Sequence, residues 1–207
     1  MAAHEVPVEI PVLETERLIL RPFVGDDAPT VEELAGHPEV AGPTLNIPHP
    51  YPAGLAAEWI ASHAGNAARG EVYTFAIERK ADGALLGAIS ATLAPRHRRT
   101  ELGYWLGRPY WGQGYTSEAA RRVTAFCFDE LGLHRVQATC FIGNVASARV
   151  MEKAGMQREG VLRGYNRKGD AFLDTAMYAL LRADYELEMV ARDEIGVIVG
   201  QGVDRSP

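Results

Sequence analysis

Between a strand-like segment ending near Leu106 and an amphipathic run beginning near Thr116, the chain reads Tyr110-Trp111-Gly112-Gln113-Gly114-Tyr115-Thr116. Two glycines separated by one residue let the backbone turn tightly and aim several N–H groups at one point. A helix N-terminus directly behind them adds partial positive charge. Such a loop suits a pyrophosphate, so a cofactor with phosphates at one end and chemistry at the other is the first expectation. A Gly-x-Gly pair also serves, more simply, to end a strand and open a helix. Two other phosphate loops fail on detail. A dinucleotide fingerprint wants a third glycine or alanine where Ser117 stands, and a Walker loop wants Gly-Lys-Ser/Thr, which this loop lacks.

The 207 residues suit one domain with a real core, and 47% hydrophobic with 23% charged residues is an ordinary globular balance. A formal net charge of −6 argues against broad nucleic-acid binding, so no DNA partner is expected. Cys127 and Cys140 form no Cys-x-x-Cys pair, and the 6 histidines share no ligand spacing, so no metal is expected. No apolar run approaches the ~18 residues that span a bilayer, and Glu5 and Glu9 do not fit a signal pattern. A cytoplasmic address without membrane attachment is the expectation.

Hydrophobic periodicity alternates between 2 and 3.6. Strands are predicted over 17–23, 72–79, 84–93, 100–106, 135–141, 156–165 and 171–180, with Asp82-Gly83 as a hairpin turn. Helices are predicted from Asp26 or Asp27, as cap, to His37 with Pro38 as a stop, and over 55–68, 116–131 and 144–154. Pro48, Pro50 and Pro52 make 46–54 a loop. Residues 184–190 suit a short helix, and 201–207 a frayed end.

The order of these elements, the Tyr-Trp-Gly-Gln-Gly-Tyr loop, Glu-Leu-Gly-Tyr-Trp-Leu at 101–106 and Asn-Val-Ala-Ser-Ala-Arg-Val-Met-Glu-Lys-Ala-Gly-Met at 144–156 resemble the GCN5-related N-acetyltransferases (GNAT). Leu-Glu-Thr-Glu-Arg-Leu-Ile-Leu-Arg-Pro at 13–22 is similar to the branch holding the RimJ and RimL ribosomal-protein alanine acetyltransferases. The resemblance covers 13–185. It implies a mixed α/β (α+β) fold whose mostly antiparallel sheet of about seven strands splays at the cofactor, flanked by about four helices. It divides the chain into an N-terminal extension (1–12), the acetyltransferase domain (13–185) and a C-terminal tail (186–207). It also implies acetyl-CoA as cosubstrate, its phosphates on the backbone of Gly112, Gln113, Gly114, Tyr115 and Thr116. The pantetheine arm would pair with Tyr104, Trp105 and Leu106 and touch Asn144. The family's usual Gln or Arg at the head of the phosphate signature is Pro109 here, with Arg108 beside it. The backbone donors do not depend on that side chain.

Acyl transfer to an amine requires a neutral amine, donors for the oxyanion and a proton for the leaving thiolate. The resemblance implies a backbone N–H near Trp105 or Leu106 as the oxyanion donor and Glu101 as the general base; the plainer role for Glu101 is a strand-end carboxylate paired with Arg98 or Arg99. Asn144 is a good N-cap whether or not it meets pantetheine. Many relatives carry the acid as a tyrosine at the position of Met151, and a thioether donates no proton, so Ser147 is the substitute expected. Cys140 raises a covalent route, ranked low because no histidine is near it in sequence. The expected activity is direct acetyl transfer to a primary amine, on a peptide or protein N-terminus or a small molecule, by a monomer or homodimer. Another acyl donor such as succinyl-CoA, or an idle acyl-CoA-binding module, are the alternatives.

Overall fold

A computed structural model describes residues 7–200, with side chains over 7–191. Along the chain run β1 (Leu13–Glu14), β2 (Leu18–Arg21), α1 (Ala28–Ala35), α2 (Pro38–Ala41), α3 (Leu55–Ala68), β3 (Val72–Arg79) and β4 (Leu85–Ala94). There follow β5 (Arg99–Leu106), α4 (Tyr115–Asp129), β6 (Arg135–Phe141), α5 (Val145–Lys153), β7 (Gln157–Lys168), β8 (Ala171–Leu181) and α6 (Arg182–Gly200). One eight-stranded sheet has the order β1-β2-β3-β4-β5-β6-β8-β7. Neighbours are antiparallel except β5 and β6, which are parallel and joined through α4.

The sheet thus has eight strands rather than about seven, and the described residues hold six α-helices rather than about four. The two-residue β1 is too short to show a period of 2. Pro38 opens α2 instead of stopping a helix, because proline at the first helical position loses only an N–H that has no partner there. Asp27 stands at the N-cap of α1 without capping it. Its carboxylate instead grips Arg21 Nη1 at 2.8 Å and accepts from the Val24 N–H at 2.9 Å. The helix foreseen at 184–190 belongs to α6; the fraying expected of 201–207 lies outside the described residues.

Each face of the sheet carries its own core. On one face α4 buries Ala120, Val123 and Cys127 as its periodicity foretold, and Phe126 meets Tyr73 and Phe75 edge-on at 5.6 and 5.9 Å. On the other, α1 and α3 cover Ala76 and Ala88 with Val31, Ala56 and Ile60. Backbones approach closely where Gly87 of β4 faces β5. A Cβ at Gly87 would lie 2.2 Å from the Trp105 carbonyl oxygen, so any side chain there would push the two strands apart.

His63 on α3 is 4% exposed between Trp59 and Phe23, and neither ring nitrogen has a hydrogen-bond partner among the described residues. Burial lowers its pKa from 6.5 to about 4. Between those values the unfolded chain binds a proton that the native chain refuses, so stability falls as pH drops through that window. The expected loss reaches about 3 kcal/mol by pH 4. Chemical denaturation of wild type and His63→Phe at pH 7 and pH 4 checks this: the variant should lose less stability by about that amount.

Candidate active site

The parallel pairing of β5 with β6 spans four positions, from Arg99↔Arg135 to Leu102↔Ala138, and then stops. Beyond it β5 stays with β4 as far as Leu106, and β6 stays with β8 through Phe141. The two strands therefore diverge, and a cleft of about 1100 Å³ opens there. Successive side chains leave a strand on opposite faces, so Tyr104 emerges on the α4 side while Glu101 and Trp105 emerge on the α1 and α3 side. The gap joins the two faces.

Ladder geometry decides which backbone groups face the gap. Gly107 N–H donates to Leu86 O at 2.8 Å, and opposed residues of an antiparallel pair alternate between bonded and unbonded. Trp105 is therefore bonded to β4, while Tyr104 and Leu106 turn their backbone groups to the gap. This corrects the expectation for Trp105: its amide is occupied, and the Leu106 N–H is the donor that faces the opening. The Leu106 carbonyl already accepts from Trp111 Nε1 at 2.7 Å, which leaves less free backbone there than an unpaired edge offers.

The glycine loop has the shape its sequence requires. Gly112 and Gly114 have φ of 75° and 83°, and Gly114 is the N-cap of α4. The N–H groups of Gly112, Gln113, Gly114, Tyr115 and Thr116 find no acceptor among the described residues. No atom lies within 4 Å of where a Gly112 Cβ would stand. Orphan donors converging beside a helix N-terminus fit an anionic phosphate group. The Gln113 side chain bonds back to Pro109 O at 3.1 Å, and Gln113, unlike Gly112, Gly114, Tyr115 and Thr116, does not line the cleft. Arg108 is paired with Glu39 at 2.7 Å.

A clamp not foreseen from sequence holds this loop. Glu118 on α4 accepts from Thr15 Oγ1 at 2.6 Å and from the N–H and Nε of Arg17 at 2.9 and 2.7 Å. Arg17 also donates to Gln113 O at 3.1 Å and lies 4.6 Å over the Tyr115 ring. Burial alone would raise the Glu118 pKa, but the Thr15 hydroxyl and Arg17 outweigh it and hold it below the usual carboxylate value. Threonine, arginine and glutamate so far apart in sequence carry no periodic signal. Arg149 and Lys153, four apart on α5, also line the cleft and belong to no ion pair among the described residues. They add positive charge to it.

Glu101 makes neither of the ion pairs considered for it. Its carboxylate accepts from Gln137 Nε2 at 3.2 Å and Thr139 Oγ1 at 3.0 Å, both neutral donors on β6, and Arg98 bonds Gly132 O instead. Across the gap, Asn144 caps α5 by accepting from the Ser147 N–H at 3.1 Å. Ser147 Oγ lies 2.9 Å from the Tyr104 hydroxyl, a partnership between residues 43 apart that carries no local sequence signal. Burial raises the Tyr104 pKa well above the ordinary tyrosine value, so this hydroxyl keeps its proton. Met151 is 1% exposed and does not line the cleft, so nothing at that position on α5 reaches it. Cys140 borders the cleft, and burial pushes its thiol pKa up, which disfavours the nucleophilic thiolate.

A loop of orphan amides at a helix N-terminus, a splayed parallel strand pair and a carboxylate at the seam suit an acyltransferase. Residues 17–157 match the acetyltransferase (GNAT) domain family. The chain belongs to that family and is an acyltransferase. It is 34% identical over 173 residues to the uncharacterized N-acetyltransferase YoaA of Bacillus subtilis (strain 168), covering 83% of this chain and 97% of that protein. The GNAT-family acetyltransferase structure from Bacillus anthracis superposes with a TM-score of 0.76 at 28% identity, covering 84% of this chain and 99% of that one. The fold also matches Mycobacterium smegmatis RimJ in complex with CoA-disulfide, with a TM-score of 0.75 at 21% identity over 91% and 98% of the two chains. Among the described residues no helix is long and apolar enough to cross a membrane.

Proposed function

We propose that this protein transfers an acetyl group from acetyl-CoA to a primary amine by direct attack in a ternary complex. The observation that carries the proposal is the gap between β5 and β6, which links orphan N–H groups at Gly112–Thr116 on one side to Glu101 on the other. Bound acetyl-CoA supplies an activated thioester. The loop backbone, with Arg149 and Lys153, holds its phosphates. The Leu106 N–H is placed to receive the developing oxyanion, and Glu101 orients the ammonium and takes its proton. The Tyr104–Ser147 hydroxyl pair holds a proton for the departing sulfur. The complex of RimJ with CoA-disulfide supports coenzyme A as the ligand of this fold.

Calorimetry with acetyl-CoA, followed by free-thiol release on adding amines, tests the reading. Binding that weakens with salt is expected, because anion contacts are screened, together with thiol release matched by N-acetylated product. No binding refutes the cofactor site. Binding without transfer to any amine leaves only an acyl-CoA-binding module.

A further inference from the structure

We infer that the acceptor is a small primary amine with a single positive charge and an apolar body of aromatic size. The inference rests on the N-acetyltransferase reading and narrows its substrate. Thr74, Ser90 and Gly103 are register partners across β3, β4 and β5, and Ala88 opposes Trp105. They share a face with Glu101, which stands two residues before Gly103. They form a floor of small residues, and a Cβ at Gly103 would crowd Ser90 Oγ at 3.3 Å. Above this floor the cleft is walled by Val31, Ile47, Tyr51, Leu55 and Trp59. The Trp59 ring is fixed edge-on against Phe23 at 5.1 Å and His63 at 4.4 Å, so it offers a rigid apolar surface.

Charge restricts the choice further. Two carboxylates line the cleft, Glu39 and Glu101. Glu39 is taken by Arg108 at 2.7 Å, whereas Glu101 meets only neutral donors. Of the carboxylates lining the cleft, Glu101 alone therefore lacks a cation; Glu32, whose charge reaches Tyr51 from outside the lining, is held by the Gly54 N–H at 2.8 Å. A polyamine or an aminoglycoside would bring further ammonium groups against apolar walls without partners, which desolvation penalises. A peptide would bring amide groups against the apolar side chains of Val31, Ile47, Leu55 and Trp59, where each would need a partner, and two of the polar side chains at hand are already engaged. Ser90 Oγ donates to Gly103 O at 3.3 Å, and Asn166 Nδ2 donates to Thr175 Oγ1 at 3.1 Å. Lys168 Nζ, on the β7–β8 hairpin, donates to the carbonyls of Ala41 and Gly42 at 2.6 and 2.7 Å and to that of Thr44, fixing the segment that leads into this wall.

The test is thiol release from acetyl-CoA with phenylethylamine, spermidine, kanamycin and an alanine-led peptide as acceptors, beside calorimetric acetyl-CoA binding. The kcat/KM for phenylethylamine is expected to exceed each of the others by at least about tenfold. Trp59→Ala should raise the phenylethylamine KM about tenfold with kcat and acetyl-CoA affinity nearly unchanged, and Trp59→Phe should recover most of the loss. A preference for spermidine, kanamycin or the peptide overturns the inference, as does unchanged discrimination in folded Trp59→Ala. Should that variant not fold, the acceptor ranking of wild type and Trp59→Phe decides alone. Acetyl-CoA binding without turnover of any amine overturns the acceptor assignment while the cofactor site stands. Failure to bind acetyl-CoA sinks the underlying reading, and the inference with it.

Discussion

Glu101→Gln is expected to lower kcat/KM for amine acetylation by about a hundredfold or more near pH 7, with acetyl-CoA affinity unchanged. The substitution keeps size and removes charge and basicity. Its amide also fits the local bonds: the new oxygen can accept from Gln137 Nε2, while the new NH2 donates to Thr139 Oγ1, whose hydroxyl rotates freely. Gln137 has no need to turn, and turning would cost it the bond that Arg135 Nε makes to its Oε1 at 2.9 Å. Thermal stability should accordingly stay close to wild type, so lost activity would report chemistry. An aliphatic amine of pKa ~10.4 is neutral about once in ~2,500 molecules at pH 7, a deficit of roughly 4.6 kcal/mol that a base must offset. As pH rises toward that of the amine, solvent does the deprotonation and the defect of the variant should shrink. Rate profiles of both enzymes from pH 6 to 10 check this, and a constant ratio between them would remove Glu101 as the base.

The parts of this protein legible in its sequence are those written locally. The stripe Ala120, Val123 and Cys127 is buried because a helix of period 3.6 must hide one face, whereas Leu131, foreseen on the same stripe, is buried just beyond the end of α4 at Asp129; Asn144 caps α5 because its side chain competes for the first free N–H. The Gly112–Gly114 turn was equally plain, since left-handed φ values select glycine. What escaped was set by pairs distant in sequence. The Thr15–Arg17–Glu118 clamp joins residues about a hundred apart, and the Tyr104–Ser147 bond needs the divergence of β5 from β6. Asp27 shows the converse. Its position announces a cap, yet charge pairing with Arg21 is stronger than a single neutral cap bond, and tertiary structure claims the side chain. Likewise, which of Trp105 and Leu106 turns its N–H to the gap follows from ladder parity, which depends on register and not on residue type.

Gly114→Val should weaken acetyl-CoA binding by about tenfold to a hundredfold, through backbone geometry rather than bulk. Gly114 has φ +83°, where a β-branched residue is strained, while the space beside it is not itself crowded: the nearest neighbour of a Cβ there would be Arg17 Nη2 at 3.5 Å. To relieve the strain the chain must turn the Gln113–Gly114–Tyr115 backbone. That motion swings the loop N–H groups off their common point and disturbs the bond from Arg17 Nη1 to Gln113 O. Destabilisation of about 1–3 kcal/mol is expected as well, so a second variant must separate folding from binding. Gly83→Val provides it. Gly83 has φ +70° with no atom within 4 Å of its Cβ position, and it lies in the β3–β4 hairpin turn and not in the cleft lining. It should suffer comparable strain with an unaltered acetyl-CoA dissociation constant by calorimetry. Equal weakening in both variants would assign the effect to general loosening of the fold, and wild-type affinity in Gly114→Val would mean that the orphan amides of this loop are not what holds the cofactor.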